Sequence, residues 1–190
     1  MRSYAHIAYL DISLYARSLE AAFRGFSVPF IYKEIQIMKA IIIYFSNSGI
    51  TEKLVFRIKK DTGADSLKVI PEKEYGGYAV SIIKMIAEKI RKNTRSFIND
   101  IPDLTEYDTV FVGYPIWGGK APAILTNFLK ACDLNGKTVI PFSTAGASSI
   151  KGSLAGIKDA CGGAKIKYPF ETSKRRKGDY SAWISKLTKN

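Results

Sequence analysis

Histidine is nearly absent: the 190-residue chain holds one, His6. That imidazole lies in an N-terminal stretch set apart below, so the remainder has no ring nitrogen to serve as base or ligand. Ser-His-Asp and Cys-His nucleophile machinery is excluded there, as are most catalytic zinc sites. No metal is expected, and any redox or group-transfer chemistry falls to a cofactor. Cysteine is scarce as well. Cys132 and Cys161 are the only two; they show no metal-like spacing and read as small buried side chains. Such sparse usage fits a reducing, cytoplasmic setting. No apolar run approaches the ~18–20 residues of a membrane span, so no membrane partner is expected. Acidic charge is in deficit: 17 Asp and Glu face 29 Lys and Arg, a net charge of +12. A surface of that sign favours anionic ligands and acidic partners.

What is present falls into two unequal parts. Residues 1–37 carry no clean period. Leu14, Leu19, Ala22 and Phe23 hint at a short helix, which Gly25, Ser27 and Pro29 would break. Asp11 interrupts any apolar core, so the stretch does not read as a signal peptide. At Met38 the character changes to Met-Lys-Ala followed by Ile41-Ile42-Ile43-Tyr44-Phe45. Lys33-Glu34 can be encoded by a purine-rich ribosome-binding sequence a few codons upstream. The expectation is an N-terminal extension over 1–37, with one domain over 38–190; the first reading of the extension is translated leader or a mis-set start ahead of Met38, and the alternative is a genuine helix that packs on the domain.

From residue 39 onward the pattern alternates. Residues 39–45 form a continuous apolar run, as in a strand buried on both faces. A helix is predicted near 51–61 and a second strand over 66–70, stopped by Pro71. Ile83, Ile86 and Ile90 repeat at helical spacing within 79–92. Asp108–Gly113 reads as a third strand. Pro122 suits a helix's first turn, and Ile124, Leu125, Phe128, Leu129 and Cys132 would form that helix's apolar face. Thr138-Val139-Ile140 makes a fourth strand, with Pro141 placed near its end because proline lacks a ladder donor. Ile150, Leu154, Ile157 and Cys161 give another helix face, and Ala164–Phe170 a fifth strand. Tyr180, Trp183, Ile184 and Leu187 stripe a last helix. Five strands alternating with helices imply an α/β fold: a doubly wound five-stranded parallel sheet in the order 2-1-3-4-5, with helices on both faces. In such sheets the ligand lies at the carboxyl ends of the strands, near the switch point. The loops after strands one, three and four should therefore meet.

The first of these loops is Ser46-Asn47-Ser48-Gly49-Ile50-Thr51. Its hydroxyls can donate to phosphate oxygens, Gly49 permits a tight turn, and the helix that follows offers free N–H groups with partial positive charge. It lacks the Walker spacing. The alternative is a plain polar turn with a Thr cap. The second loop, Tyr114-Pro115-Ile116-Trp117-Gly118-Gly119, puts a planar indole where it can stack on a heterocycle. The third, Ser143–Ser149, is small and permits close backbone approach; alone it is equally a flexible turn.

Taken in order and with their spacing, these three motifs resemble the flavodoxin family, and its short single-domain branch in particular, over residues 38–190. The resemblance implies FMN as cofactor. Ser46, Asn47, Ser48, Gly49, Ile50 and Thr51 would bind its phosphate. Pro115, Ile116, Trp117, Gly118 and Gly119, with Thr144, Ala145 and Gly146, would hold the flavin ring. No side chain need act as acid or base. The chain departs from the family in two places: Gly118 stands where many relatives have a second tryptophan, and the third loop has no tyrosine to cover the ring's outer face. The basic charge is a further departure from commonly acidic relatives, and should stabilise reduced, anionic flavin. The function implied is electron transfer between redox partners, acidic ones such as a ferredoxin-like donor. The alternative is an NAD(P)H-dependent, FMN-containing quinone reductase, for which the open ring site leaves room. Lys174-Arg175-Arg176-Lys177 is the densest basic cluster. It reads as a solvated loop, then as a docking patch; no recognition motif accompanies it, so nucleic acid is not expected.

Overall fold

A computed structural model of the chain describes residues 39–73 and 96–188. The N-terminal stretch 1–37, its boundary at Met38 and the helix expected over 79–92 lie outside the described residues. Within them the elements run β1 (Ala40–Tyr44), α1 (Ile50–Thr62), β2 (Asp65–Lys68), β3 (Thr109–Pro115), α2 (Ala123–Ala131), β4 (Thr138–Ala145), α3 (Lys151–Ala160), β5 (Lys165–Ile166), β6 (Phe170–Ser173) and α4 (Tyr180–Thr188).

The strands form one parallel sheet in the order β2-β1-β3-β4-β5, with β6 also on β4. The order agrees with the expectation. Side chains alternate across it, as the pleat dictates. Ile41, Ile43, Val110, Val112 and Val139 pack with Ile124, Leu125, Phe128, Leu129 and Ile157 of α2 and α3. Ile42, Phe111, Ile140 and Phe142 pack with Val55 and Ile58 of α1 and Tyr180 and Trp183 of α4. The central strands β1 and β3 are apolar in nearly every position because both faces are covered. On the second face the Phe142 ring occupies the space that a side chain at position 113 would take, so only glycine fits at Gly113.

Two expectations are corrected. Pro141 sits in the middle of β4, not near its end. The parity of the strand explains why it is tolerated. Thr138 donates to Asp108 O and Thr144 O accepts from Ile116 N, so even-numbered residues face β3; Val139 O accepts from Lys167 N, so odd-numbered ones face the other side. Pro141 therefore turns its missing donor to the side where pairing passes from β5, at Thr138 and Val139, to β6, at Phe142–Ala145. No bond to β3 is lost. The second correction concerns the fifth strand, expected as one piece over 164–170. It is two: β5 ends at Ile166 and β6 begins at Phe170. Tyr168, at φ 48, and Pro169 break the run, since a left-handed residue followed by proline cannot continue a ladder. A smaller difference is that Pro122 lies at the N-cap of α2, one residue ahead of the first turn.

Tyr180 stands at the start of α4 and ties it to α1: its hydroxyl donates to Asp61 Oδ2 at 2.7 Å, and Arg57 lies 3.7 Å over its ring. Trp183 stacks on Phe170 at 4.6 Å and donates from its indole to Tyr168 O at 2.8 Å. The cysteines behave as expected. Cys161 is buried and Cys132 half-buried, both are free, and burial pushes their thiols up to about 12 and about 11.

Candidate functional site

Each βα connection leaves the sheet at the carboxyl ends of the strands, so the loops after β1, β3 and β4 emerge side by side. Specific bonds then join them. Phe45 N donates to Gly113 O at 2.9 Å, tying the first loop's root to β3. Ile116 N donates to Thr144 O at 2.8 Å, tying the second loop to the third. The hydroxyls of Thr51 and Thr144 meet at 2.8 Å in a buried contact, tying the first turn of α1 to the third loop. The three loops expected to converge do so.

In the first loop, Ser46 and Thr51 are buried while Asn47, Ser48 and Ile50 are exposed. Gly49, at φ 78, is the N-cap of α1 and brings no side chain to cap it. A Cβ at Gly49 would meet nothing, yet its backbone conformation is one that other residues rarely adopt. Ser46 Oγ accepts from Glu52 N at 3.4 Å. Glu52 is the one acidic residue in the first turn of α1, and it is turned away from the loop. Its Oε1 accepts from Lys68 Nζ and from Tyr44 OH, both at 2.9 Å. The Lys68 ammonium holds the Glu52 carboxyl below its ordinary range, and the Tyr44 bond adds to this. The mouth of a thirteen-residue helix is thus lined by hydroxyls and main-chain N–H groups, with its local carboxylate already neutralised. That donor set suits a phosphate and would repel a cation.

In the second loop, Pro115 ends β3 and Ile116 is buried. Trp117 and Lys120 exchange backbone bonds at 2.9 and 3.0 Å around Gly118 and Gly119, whose φ values are 55 and 77. Two successive left-handed residues in a two-residue turn call for glycines. This closed turn is the physical reason for glycine at Gly118. The Trp117 ring is half-buried and meets Phe45 edge-on at 5.6 Å. Its indole is held at the rim by packing on the core.

The third loop is shorter than Ser143–Ser149. Ser143 and Thr144 lie within β4, which runs on to Ala145, while Gly146, Ala147 and Ser148 are exposed. Thr144 spends its hydroxyl on Thr51 and its carbonyl on Ile116, so among the expected flavin-side residues it also joins the loops. Ser143 is fully buried, and its hydroxyl is the one buried side-chain polar atom without a partner among the described residues.

Sequence reasoning did not single out Glu171, and did not place Arg176 of the basic cluster beside the third loop. Glu171 of β6 reaches across to accept from Ile150 N at 2.6 Å, taking up a free donor at the start of α3. Arg176 donates to Ala147 O at 3.4 Å. Both depend on β6 lying beside β4, which a single strand over 164–170 did not provide. Tyr114, expected as the first residue of the second loop, lies within β3. Its hydroxyl meets Ser153 Oγ at 2.9 Å beneath α3, and burial pushes its phenol up to about 12. It is a core polar contact.

The sheet order and the junction of its carboxyl-end loops define an α/β protein of the doubly wound, flavodoxin-like class. The chain belongs to the flavodoxin family, whose sequence profile matches residues 39–187. Among solved structures it is similar to a candidate flavoprotein from Bacteroides uniformis, at 25% identity and a TM-score of 0.68, covering 80% of this chain and 97% of the other. It is also similar to a candidate flavoprotein from Bacteroides eggerthii, at 28% identity and a TM-score of 0.66, covering 78% and 94%. A flavoprotein from Lactobacillus acidophilus, solved in complex with FMN, shares the fold at 18% identity and a TM-score of 0.63, covering 70% and 93%. No curated protein matches the chain by sequence.

Proposed function

We propose that this chain binds FMN at the carboxyl end of its sheet and relays electrons between redox partners. The observation that carries the reading is the uncapped mouth of α1, rimmed by Ser46, Ser48 and Thr51, with Trp117 set beside it through Phe45. Bound FMN supplies the redox chemistry, accepting and releasing electrons at its ring. The chain's own residues bind and orient it. Asn47, Ser48, Gly49 and Ile50 offer donors to the phosphate from the exposed side of the loop, and the first-turn amides complete the cradle. Ser46 and Thr51 fix that loop from below, through Glu52 N and Thr144. Pro115, Ile116, Trp117, Gly118 and Gly119 form one wall of the ring site; Thr144, Ala145 and Gly146 form the other. The surrounding positive charge stabilises the reduced anion and raises the potential. Two free thiols suit a cytoplasmic location. Among the described residues no helix is long and apolar enough to cross a membrane, and no cluster of residues is placed to hold a metal ion.

The visible spectrum of the purified protein tests this, followed by titration of stripped protein with FMN. A flavin spectrum and saturable binding at micromolar concentration are expected. A colourless protein that takes up no FMN defeats the reading.

One observation favours a second reading, an NAD(P)H-dependent FMN-containing quinone reductase. Gly146, Ala147 and Ser148 are small and exposed, and Gly118 is exposed too, so among the described residues these loops bring no covering aromatic to one side of the ring site. A nicotinamide or quinone could stack there. Steady-state NADPH oxidation with a quinone and no added protein reductase separates the two: turnover supports the reductase, its absence the carrier.

A further inference from the structure

The basic cluster Lys174–Lys177 reads in sequence as a solvated loop first and a docking patch second. The structure gives it an address. Strand β6 pairs with the carboxyl half of β4, Phe142–Ala145, and so ends level with the third loop. The turn that follows lies against that loop, where Arg176 donates to Ala147 O.

The turn is held in one shape. Ser173 Oγ accepts from Arg175 N at 3.3 Å and Arg176 N at 2.8 Å, and Ser173 N donates to Arg176 O at 2.7 Å. Thr172 and Lys177 form an antiparallel bridge, and Gly178 N donates to Glu171 O at 3.2 Å. Position 178 admits only glycine, because a Cβ would stand 2.7 Å from Glu171 O. All four basic side chains are exposed. The carboxylates nearby in sequence are already engaged: Glu171 with Ile150 N, and Asp179 with Ala182 N at 3.0 Å. Among the described residues none of the four cations pairs with a carboxylate.

The positive rim continues beyond the turn. Lys151 is exposed in the first turn of α3. Beside it, Gly152 packs so closely on Gly119 O that a Cβ would come within 3.1 Å. Lys120, also exposed, closes the Trp117 turn. Six cations thus follow the second loop, the start of α3 and the basic turn along one side of the site. Consecutive side chains on a tight turn splay outward and do not converge on one phosphate. A broad, preformed, uncompensated positive face matches an acidic protein surface better than a small anion.

We propose that the Lys174–Lys177 turn, extended by Lys151 and Lys120, is the docking face for an acidic protein, set beside the flavin loops so that its partner approaches the ring. The proposal rests on the FMN reading for the purpose of docking, while its test does not need flavin.

The full-length protein would be titrated with oxidised plant-type [2Fe–2S] ferredoxin as the acidic probe, by calorimetry, at about 20 mM and about 300 mM salt. Three forms are compared: wild type, K174E/R175E/K177E, and K39E/K60E/K165E. The last changes net charge equally but at the amino end of the sheet. Arg176 is left in place because it bonds to Ala147. Circular dichroism checks that each variant is folded; if the triple turn variant is not, the single K174E and R175E variants carry the test with smaller shifts in the same direction. Wild type should bind at low salt and weaken at least tenfold at high salt. The turn variant should lose on the order of tenfold in affinity or more, and the amino-end variant less than about threefold. Equal losses in both variants, or no binding by wild type, overturn the proposal. So does tighter binding to duplex DNA than to ferredoxin with the same dependence on the turn, which would make the face a nucleic-acid site. FMN titration of the same samples is independent: ferredoxin binding without flavin binding defeats the FMN reading and leaves the docking face standing.

Discussion

The two ends of the sheet solve the same problem in opposite ways. Every helix must satisfy the backbone groups left over at its termini. At the amino end of the strands the chain does this for itself. Gly63 closes α1 in the left-handed conformation with its N–H on Lys59 O, and Thr62 accepts from Ala64 N. Lys137 Nζ donates to Leu104 O at 2.7 Å and Tyr107 O at 2.8 Å, and Gly136 N donates to Gly163 O. At the carboxyl end α1 opens with no side-chain cap, and Ser48 and Gly146 stand exposed. The amino end is finished; at the carboxyl end Glu171 serves the start of α3, and it is the mouth of α1 that is left for something to complete. Changes at the amino end should therefore register in stability, and changes at the carboxyl end in binding.

Lys137→Met should break that rule if it is wrong. It strips from two carbonyls a cationic donor whose charge-assisted bonds stabilise the fold by about 3 kcal/mol. Chemical denaturation should show a loss of that order, with FMN affinity unchanged within error. A comparable fall in affinity would show that the two ends are coupled. The thiols come next. Cys132 and Cys161 follow α2 and α3 at the amino end, with pKa values raised by burial. At pH 8 the thiolate fraction should be roughly a hundredfold below that of free cysteine at Cys132 and roughly a thousandfold below it at Cys161, with alkylation by iodoacetamide slower by about those factors. Rapid labelling of the folded protein would mean the amino end opens locally.

Ser48→Ala probes the other end. The side chain is exposed and makes no hydrogen bond among the described residues, so stability should move by less than ~0.5 kcal/mol. FMN affinity should fall about tenfold, as expected for one hydrogen bond to a charged phosphate. An unchanged dissociation constant would place the phosphate elsewhere. The smallest effect belongs to Glu52→Gln. The Glu52 carboxyl is held below its ordinary range chiefly by Lys68, so its contribution is present above the unfolded pKa and is lost as pH falls through the folded one. The pair is partly exposed, and the variant should be less stable by about 0.5 kcal/mol near pH 7. That difference should vanish in acid below the ordinary carboxylate range. A gap that persists there would mean the side chain acts through packing.

How much of this was legible beforehand follows from what each residue reports. Ile41-Ile42-Ile43 and Val110-Phe111-Val112 announce doubly covered strands because covering both faces leaves no polar alternation, and sheet order follows from right-handed crossovers. The loop motifs were legible for the same local reason, since small and hydroxylated residues at strand ends are read directly. Pro141 was misplaced because a proline's tolerance depends on which neighbour its missing donor faces, and that is set by the partner strand. The break at Tyr168 was hidden because tyrosine gives no local sign of a left-handed backbone. The Thr51–Thr144 pair spans 93 residues and the Glu171–Ile150 bond 21, and no local pattern encodes such contacts.

The divided edge beside β4 has a consequence for behaviour at high concentration. A long flat margin of unused donors and acceptors invites another molecule to add a strand. Here β5 offers two residues and β6 four, separated by Tyr168 and by Pro169, which has no N–H to give. The chain's own backbone at Lys177 and Gly178 already occupies part of the margin of β6. The break that conceals the strand from sequence reading also denies intruding molecules a template, and leaves this side of the protein resistant to self-assembly.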